Sequence, residues 1–351
     1  MREAKQAPSM RKAAKLTGGS FQKKYRRRNL LMNLKGKLLS AAAAALLTVS
    51  LLAGCGGGGG NSGGSGAPKV ETPKTAPTMT FKFGSHEAKV YELTGLDLRD
   101  RINTWELGVL GNDVYFQCGR KPPHMGKVTM KGETISDFAD LGETDDNHTI
   151  AMNDKAVLWK GPKDALVVYD GKTTKTGGKW PGQLLAKVGG GISGRDEFYF
   201  LGGKKLKMGK LKDGSIKDVQ EIIPDLTATS PDFKNAQFFP VASDKDEIFV
   251  RSVLQKPGQN KKVPVLVAFD KKGKEVRRYE GMEGSRKGFC VTDKYVIFAD
   301  PDGNFRVFEK KSGKKLGEGK ITFGVFALAT VKGNSIIAYD ESAKKLYRID
   351  F

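Results

Sequence analysis

The stretch Tyr295 to Leu316 reads YVIFADPDGNFRVFEKKSGKKL. Two runs rich in aromatic and β-branched residues, YVIFA and FRVFEK, are parted by Asp300-Pro301-Asp302-Gly303. A second turn, Ser312-Gly313-Lys314, follows. Runs of this kind bounded by Gly, Pro, Asn and Asp read as strands. Pro fixes φ at a turn, and Gly accepts the positive φ that tight hairpins require. The stretch predicts strand, hairpin, strand, hairpin.

The same unit recurs along the chain. A polar turn leads into an apolar run at Asp113 (VYF), Asp154 (AVLW), Asp196 (FYF), Asp246 (IFV), Asp293 (YVIF) and Asn334 (SIIAY). Successive markers lie 41, 42, 50, 47 and 41 residues apart. A second run follows in most units, as in ALVVYD (165–170), VLVAFD (265–270) and KLYRID (345–350), then a glycine turn and a more polar strand such as IKDVQEI (216–222) or KEVRRYE (274–280). The runs ahead of the markers, FFPVAS (238–243), GFCVT (288–292) and FALATV (326–331), mix aromatic with small residues. Small residues suit an innermost strand crowded around an axis.

Repeats of this length with four strands each predict an all-β, six-bladed β-propeller over residues 79–351. The last unit stops at Phe351 after its third strand, and Lys89 to Leu93, with Thr78 to Phe83 alongside, would close it from the N-terminal end. Such closure removes two exposed sheet edges. Seven blades would fit if residues 79–104 hold more than one outer strand. A pair of β-sandwiches would not give strands at so regular an interval.

On these units the chain resembles bacterial β-propeller proteins of the YncE-like, quinoprotein-like and WD40-like kind. The resemblance implies a rigid disc with loops on two faces. The Gly-His and Trp-Asp pairs of WD40 repeats, the repeated tryptophan motif of quinoprotein propellers and the sialidase aspartate box are all missing, the only tryptophans being Trp105, Trp159 and Trp180.

Ahead of the repeats lies a targeting segment. Lys35 and Lys37 precede the apolar run LLSAAAAALLTVSLL (38–52), which ends in Ala53-Gly54-Cys55 and five glycines. A basic head, a short apolar stretch and small residues at the join make a secretory signal, and the run is short for a membrane span. A cysteine at the cut resembles a bacterial lipobox. That resemblance implies alkylation of the Cys55 thiol with diacylglycerol, cleavage between Gly54 and Cys55 and acylation of the new amino terminus, with a palmitate-type chain among the lipids. Residues 1–54 are then the signal, with Met32 as an alternative start and a long basic n-region as the other reading. Residues 55–78 are the lipidated cysteine and a Gly/Ser/Pro tether too poor in apolar residues to fold. The expected location is extracytoplasmic, on the cell membrane or the outer membrane.

Removing the signal changes the charge. The full chain of 351 residues carries 60 Lys/Arg against 39 Asp/Glu, but residues 1–54 hold 12 Lys/Arg and one Glu. A moderate basic excess remains, suited to anionic headgroups or envelope polymers. Nucleic acid is not an expected partner outside the cell. Cys118 and Cys290 sit in apolar runs of different units and read as buried free thiols.

Candidate chemistry is sparse. There is no G-x-S-x-G elbow, and the glycine clusters at 189–191 and 202–203 precede no helix that could cradle a phosphate. Cys118, His124 and Met125 make a poor soft-metal set, so no metal, cofactor or catalytic residue is expected. Lys131, Lys172, Lys212, Lys272 and Lys314 fall on the third turn of their units, and Lys160, Lys204 and Lys261 on the opposite set. The candidate binding-face loop residues are Arg120, His124, Lys160 and Arg251. The expected role is a binding or scaffolding module for an envelope protein or polymer. An envelope enzyme of lyase or lactonase type at the channel mouth, or a solute sensor, is the alternative.

Overall fold

The structure is a computed structural model that describes residues 70–119, 121–145, 150–153, 155–181, 197–255, 262–281 and 288–351. It opens with β1 (Met79–Phe83) and β2 (His86–Glu92). β3 (Ile102–Leu110), β4 (Asp113–Cys118), β5 (His124–Lys131) and β6 (Thr134–Glu143) form the first blade, an antiparallel sheet in sequence order. β7 (Ile150–Met152), β8 (Val157–Lys160), β9 (Ala165–Tyr169) and β10 (Thr174–Lys179) form the second. β11 (Glu197–Gly202), β12 (Lys205–Lys212) and β13 (Ser215–Ile223) are the described part of the third, whose expected inner strand falls outside the described residues.

β14 (Gln237–Ser243), β15 (Glu247–Gln255), β16 (Lys262–Asp270) and β17 (Glu275–Tyr279) make the fourth blade. β18 (Gly288–Val291), β19 (Tyr295–Ala299), β20 (Asn304–Glu309) and β21 (Lys315–Lys320) make the fifth. β22 (Ala327–Thr330), β23 (Ser335–Asp340) and β24 (Lys345–Asp350) then meet β2 and β1, giving a five-stranded sixth sheet in the order β22-β23-β24-β2-β1. Residues 79–104 thus complete the sixth blade and start the first. They add no seventh.

The ring is closed by packing. Inner strand β22 of the sixth blade lies against β3 of the first. Each of six apolar clusters joins two consecutive blades, and one of them, holding Leu107, Phe116, Ile337 and Tyr339, spans the sixth and first. Period-two alternation explains how one strand serves two clusters. Along β19, Val296 and Phe298 face the fourth blade, while Ile297 and Ala299 face the sixth. Fully burying such side chains is worth about 1.5–3 kcal/mol each. The architecture is a six-bladed β-propeller.

Turn chemistry repeats with the blades. The carboxylates of Asp170, Asp270, Asp300 and Asp340 each accept two or more backbone N–H groups of the hairpin that follows. The turns between third and fourth strands also dock sideways on the preceding blade. Gly178 N–H donates to Gly214 O at 3.3 Å. Gly273 has φ +86°, and a Cβ there would come within 2.7 Å of the Ile223 side chain. The lysines expected on these turns are there, on the rim of the disc between blades.

Residues 70–78 belong to this fold. Val70 packs on the cluster between the sixth and first blades. Arg348 Nη1 donates to Glu71 O, and Lys74 N–H donates to the Glu133 carboxylate at 2.9 Å. Residues 55–69 of the expected tether, the signal and Cys55 lie outside the described residues.

Candidate functional site

In an antiparallel meander the second-to-third-strand turns and the linkers between blades share one face. On that face the first two blades meet in a polar seam. Its floor is an irregularity in β3: Ile102 pairs with Cys118 and Leu107 with Phe116, so Asn103 to Glu106 stand opposite Gln117 alone. A bulge of this kind re-aims side chains and is frequent beside binding sites. Thr104 Oγ1 stabilises it, donating to Glu106 O and accepting from the N–H of Glu106 and of Gln117, both at 3.2 Å. Asn103 is exposed beside Gly119.

Gln117 is buried, in register with Met125 and so turned toward the second blade. Its Nε2 donates to Asp145 O at 3.3 Å, and its Oε1 has no hydrogen-bond partner. Leaving a buried acceptor unmet costs about 1–3 kcal/mol. Across the seam, Glu106 Oε2 accepts the Ile150 N–H at 3.2 Å, and Trp159 Nε1 donates to Glu143 O at 3.1 Å.

Lys160, at the end of β8, reaches two carboxylates, Asp145 at 2.8 Å and Asp164 at 2.6 Å. Hydrogen bonding to Asp145, then to Asp164, raises the pKa of its ammonium. The Asp164 carboxyl is in turn held below the ordinary carboxylate range by Lys160. The turn itself is strained, because Lys163 and Asp164 both adopt left-handed backbone, with φ +56° and +61°. Non-glycine residues there persist only where surroundings hold them. Here the two Lys160 ion pairs and the bond from Trp180 N–H to Asp164 O at 2.8 Å do so.

His124 opens β5 on the same face, and its Nδ1 lies 2.8 Å from Asp140. His124 and Lys160, expected as loop residues, therefore stand on adjoining blades of one face. Arg120 lies outside the described residues. Arg251 is placed elsewhere, in the middle of β15 with its guanidinium 5.3 Å from the Phe239 ring centre, so it is a strand residue of the fourth blade. The Cys118, His124, Met125 trio does not converge: Cys118 packs toward the sixth blade and Met125 toward the second. Both Cys118 and Cys290 are buried and stand outside any disulfide, as expected. Gln117 and Thr104 were not legible as site residues. The one signal was the length of INTWELGVL (102–110), more than twice that of the neighbouring inner strand IAM (150–152).

No family model matches the chain, and no curated protein matches it. Among solved structures, it is similar to the WD40 β-propeller domain of Doa1, with 13% identity over 70% of this chain and 77% of that one and a TM-score of 0.41. It is similar also to BamB from Moraxella catarrhalis, with 11% identity over 80% of this chain and 94% of that one and a TM-score of 0.38. A computationally designed protein, Ika8, gives 13% identity over 70% of each chain and a TM-score of 0.38. The fold rests on the chain's own strand pairing.

Proposed function

We propose that the chain is an extracytoplasmic lipoprotein, acylated at Cys55, whose propeller is a binding or scaffolding module for an envelope protein. The lipobox-like sequence supports the anchoring. The observation that supports the binding role is the seam of the first two blades, where the β3 bulge presents the exposed Asn103 and the held left-handed turn presents the exposed Lys163 and Asp164 on one face. A rigid disc holds such a seam without reordering its own backbone, which keeps the cost of association low.

A photo-crosslinking amino acid at Asn103 or at Lys163, both exposed on the seam face, tests this in cells, with Val276 on outer strand β17 as control. A recurrent protein adduct at 103 and 163 that is absent at 276 is expected. The same adducts from all three positions, or none from the seam, would remove the reading. Recovery of a glycan or other polymer from the seam would replace the protein partner.

A further inference from the structure

We propose that the propeller stands edge-on to an anionic bilayer, with the rim of the sixth blade against the headgroups. This rests on the acylation of Cys55 proposed above.

The first support is where the leash leaves the fold. Residues 70–78 dock at the junction of the sixth and first blades: Glu71 on Arg348 of β24, Lys74 on Glu133 at the β5–β6 turn, and Thr78 N–H on Val90 O of β2 at 2.8 Å. The disc is therefore held at the junction of its sixth and first blades, along β24 and β2 and at the β5–β6 turn.

The second is length. Fifteen peptide units separate Cys55 from Val70. A glycine-rich chain of that length has an end-to-end distance of about 20 Å and cannot exceed about 50 Å. The five strands of the sixth blade and the three described strands of the third, about 4.8 Å apart on opposite sides of the ring with the space between them, span roughly 40 Å. The sixth-blade rim lies within the leash's ordinary reach of the membrane. The rims of the third and fourth blades reach it only with the leash drawn nearly straight around the disc.

The third is charge. Lys82 and Lys89 are exposed and share one face of the β1–β2 ribbon, since Lys82 pairs with Glu87 and Thr80 with Lys89. Lys74 is exposed on the docked segment, and β21, packed on β1, adds exposed Lys315 and Lys320. Of the acids in between, Glu318 is held by Lys315 at 2.5 Å and faces Arg306 at 3.4 Å, which leaves Glu87, and Glu133 beside Lys74, against Lys74, Lys82, Lys89 and Lys320. Basic side chains near an anionic leaflet are drawn to it within a Debye length. The rim across the ring carries the exposed Val219 and Val276, and its exposed Lys205, Lys212 and Lys217 are paired with Glu221, Asp218 and Asp213.

Edge-on placement leaves both loop faces, and the seam of the first two blades, open to a partner in the plane of the membrane. The test uses the full lipidated chain in vesicles of phosphatidylcholine with phosphatidylglycerol. Thr80→Cys or Val219→Cys takes a fluorophore, the native Cys118 and Cys290 being buried, and energy transfer to a headgroup-labelled lipid is read. Transfer several-fold stronger from position 80 than from 219 is expected. Replacing Lys74, Lys82 and Lys89 by Gln should shrink the difference. Equal transfer, or stronger transfer from 219, overturns the proposal. Intact mass on the same sample separates the two claims. If Cys55 carries no lipid, the anchoring reading fails, and the same comparison on a chain held to nickel-chelating lipid by a histidine tag in place of Cys55 still decides the orientation.

Discussion

Arg348, in the third strand of the sixth blade, donates from Nη1 to the carbonyl oxygen of Glu71, 277 residues earlier in the chain. Its Nε holds Asp350 at 2.8 Å, and its side chain is only 5% exposed. One guanidinium therefore ties the incoming segment to the blade that the N-terminal strands complete. Removing it leaves a partly buried carboxylate and a carbonyl without their donor. Arg348→Ala should cost about 2–4 kcal/mol, read from the midpoint of urea unfolding. A loss within about 0.5 kcal/mol, the range of ordinary surface substitutions, would show that the segment contributes nothing to closure.

The fifth strand of the sixth blade depends on two glycines in its neighbour. A Cβ on Gly319 would lie 2.3 Å from the Phe81 ring and 2.8 Å from Lys82 O, and one on Gly317 would lie 2.3 Å from Gly84 N. Gly319→Ala should therefore displace β1, at about 1–3 kcal/mol for forced overpacking. Hydrogen exchange should speed up across residues 79–83 while β22 to β24 stay protected. Uniform protection in the variant would contradict this packing.

Trp159 is wholly buried between the first two blades and donates to Glu143 O. Trp159→Ala should cost about 3–5 kcal/mol. Trp159→Phe, which refills most of the volume but loses the N–H, should cost clearly less. Equal losses in the two variants would mean that the hydrogen bond, and not the filled volume, dominates.

Much of the ring could be read from residues alone. The turns at Asp113, Asp246, Asp293 and Asn334 fell on first hairpins, those at Asp154 and Asp196 lying outside the described residues; Gly171, Gly214, Gly273 and Gly313 took positive φ, and the orphan strand at Lys89 to Leu93 found its partner in β24. These features are local, so composition and spacing carry them. What stayed hidden depends on contacts distant in sequence. The docking of residues 70–78 needs Arg348 and Glu133, and the tight seat of β1 needs Gly317 and Gly319. The seam was hidden too, because the extra residues at Asn103 to Glu106 look like ordinary strand until their register with Gln117 is known. Arg251 misled because a basic residue inside a strand reads like one at its end.

Acid should act on the turns. The Asp170 carboxyl is pulled down to about 2, first by hydrogen bonding from the Thr173 N–H, then from that of Lys172. Its folded value lies below its unfolded one, so the stability it adds is present above about pH 4 and is lost as pH falls toward 2. Asp170→Asn keeps an acceptor oxygen without a titrating group. Between pH 4 and 2 the variant should lose less stability than the parent, measured by thermal unfolding at each pH. Parallel curves would show that this turn is not a source of acid sensitivity.

The proposed binding role and the edge-on orientation both rest on a propeller held at a membrane through lipid on Cys55. Intact mass spectrometry of the protein extracted from cell membranes tests it most directly. The expected result is a mature chain that begins at Cys55 and carries a diacylglyceryl group, with further acyl mass on the amino terminus where that step occurs, and recovery in the soluble fraction when Cys55 is replaced by Ser. A mature chain beginning elsewhere, or an unmodified Cys55 in a protein that stays with the membrane, would contradict it.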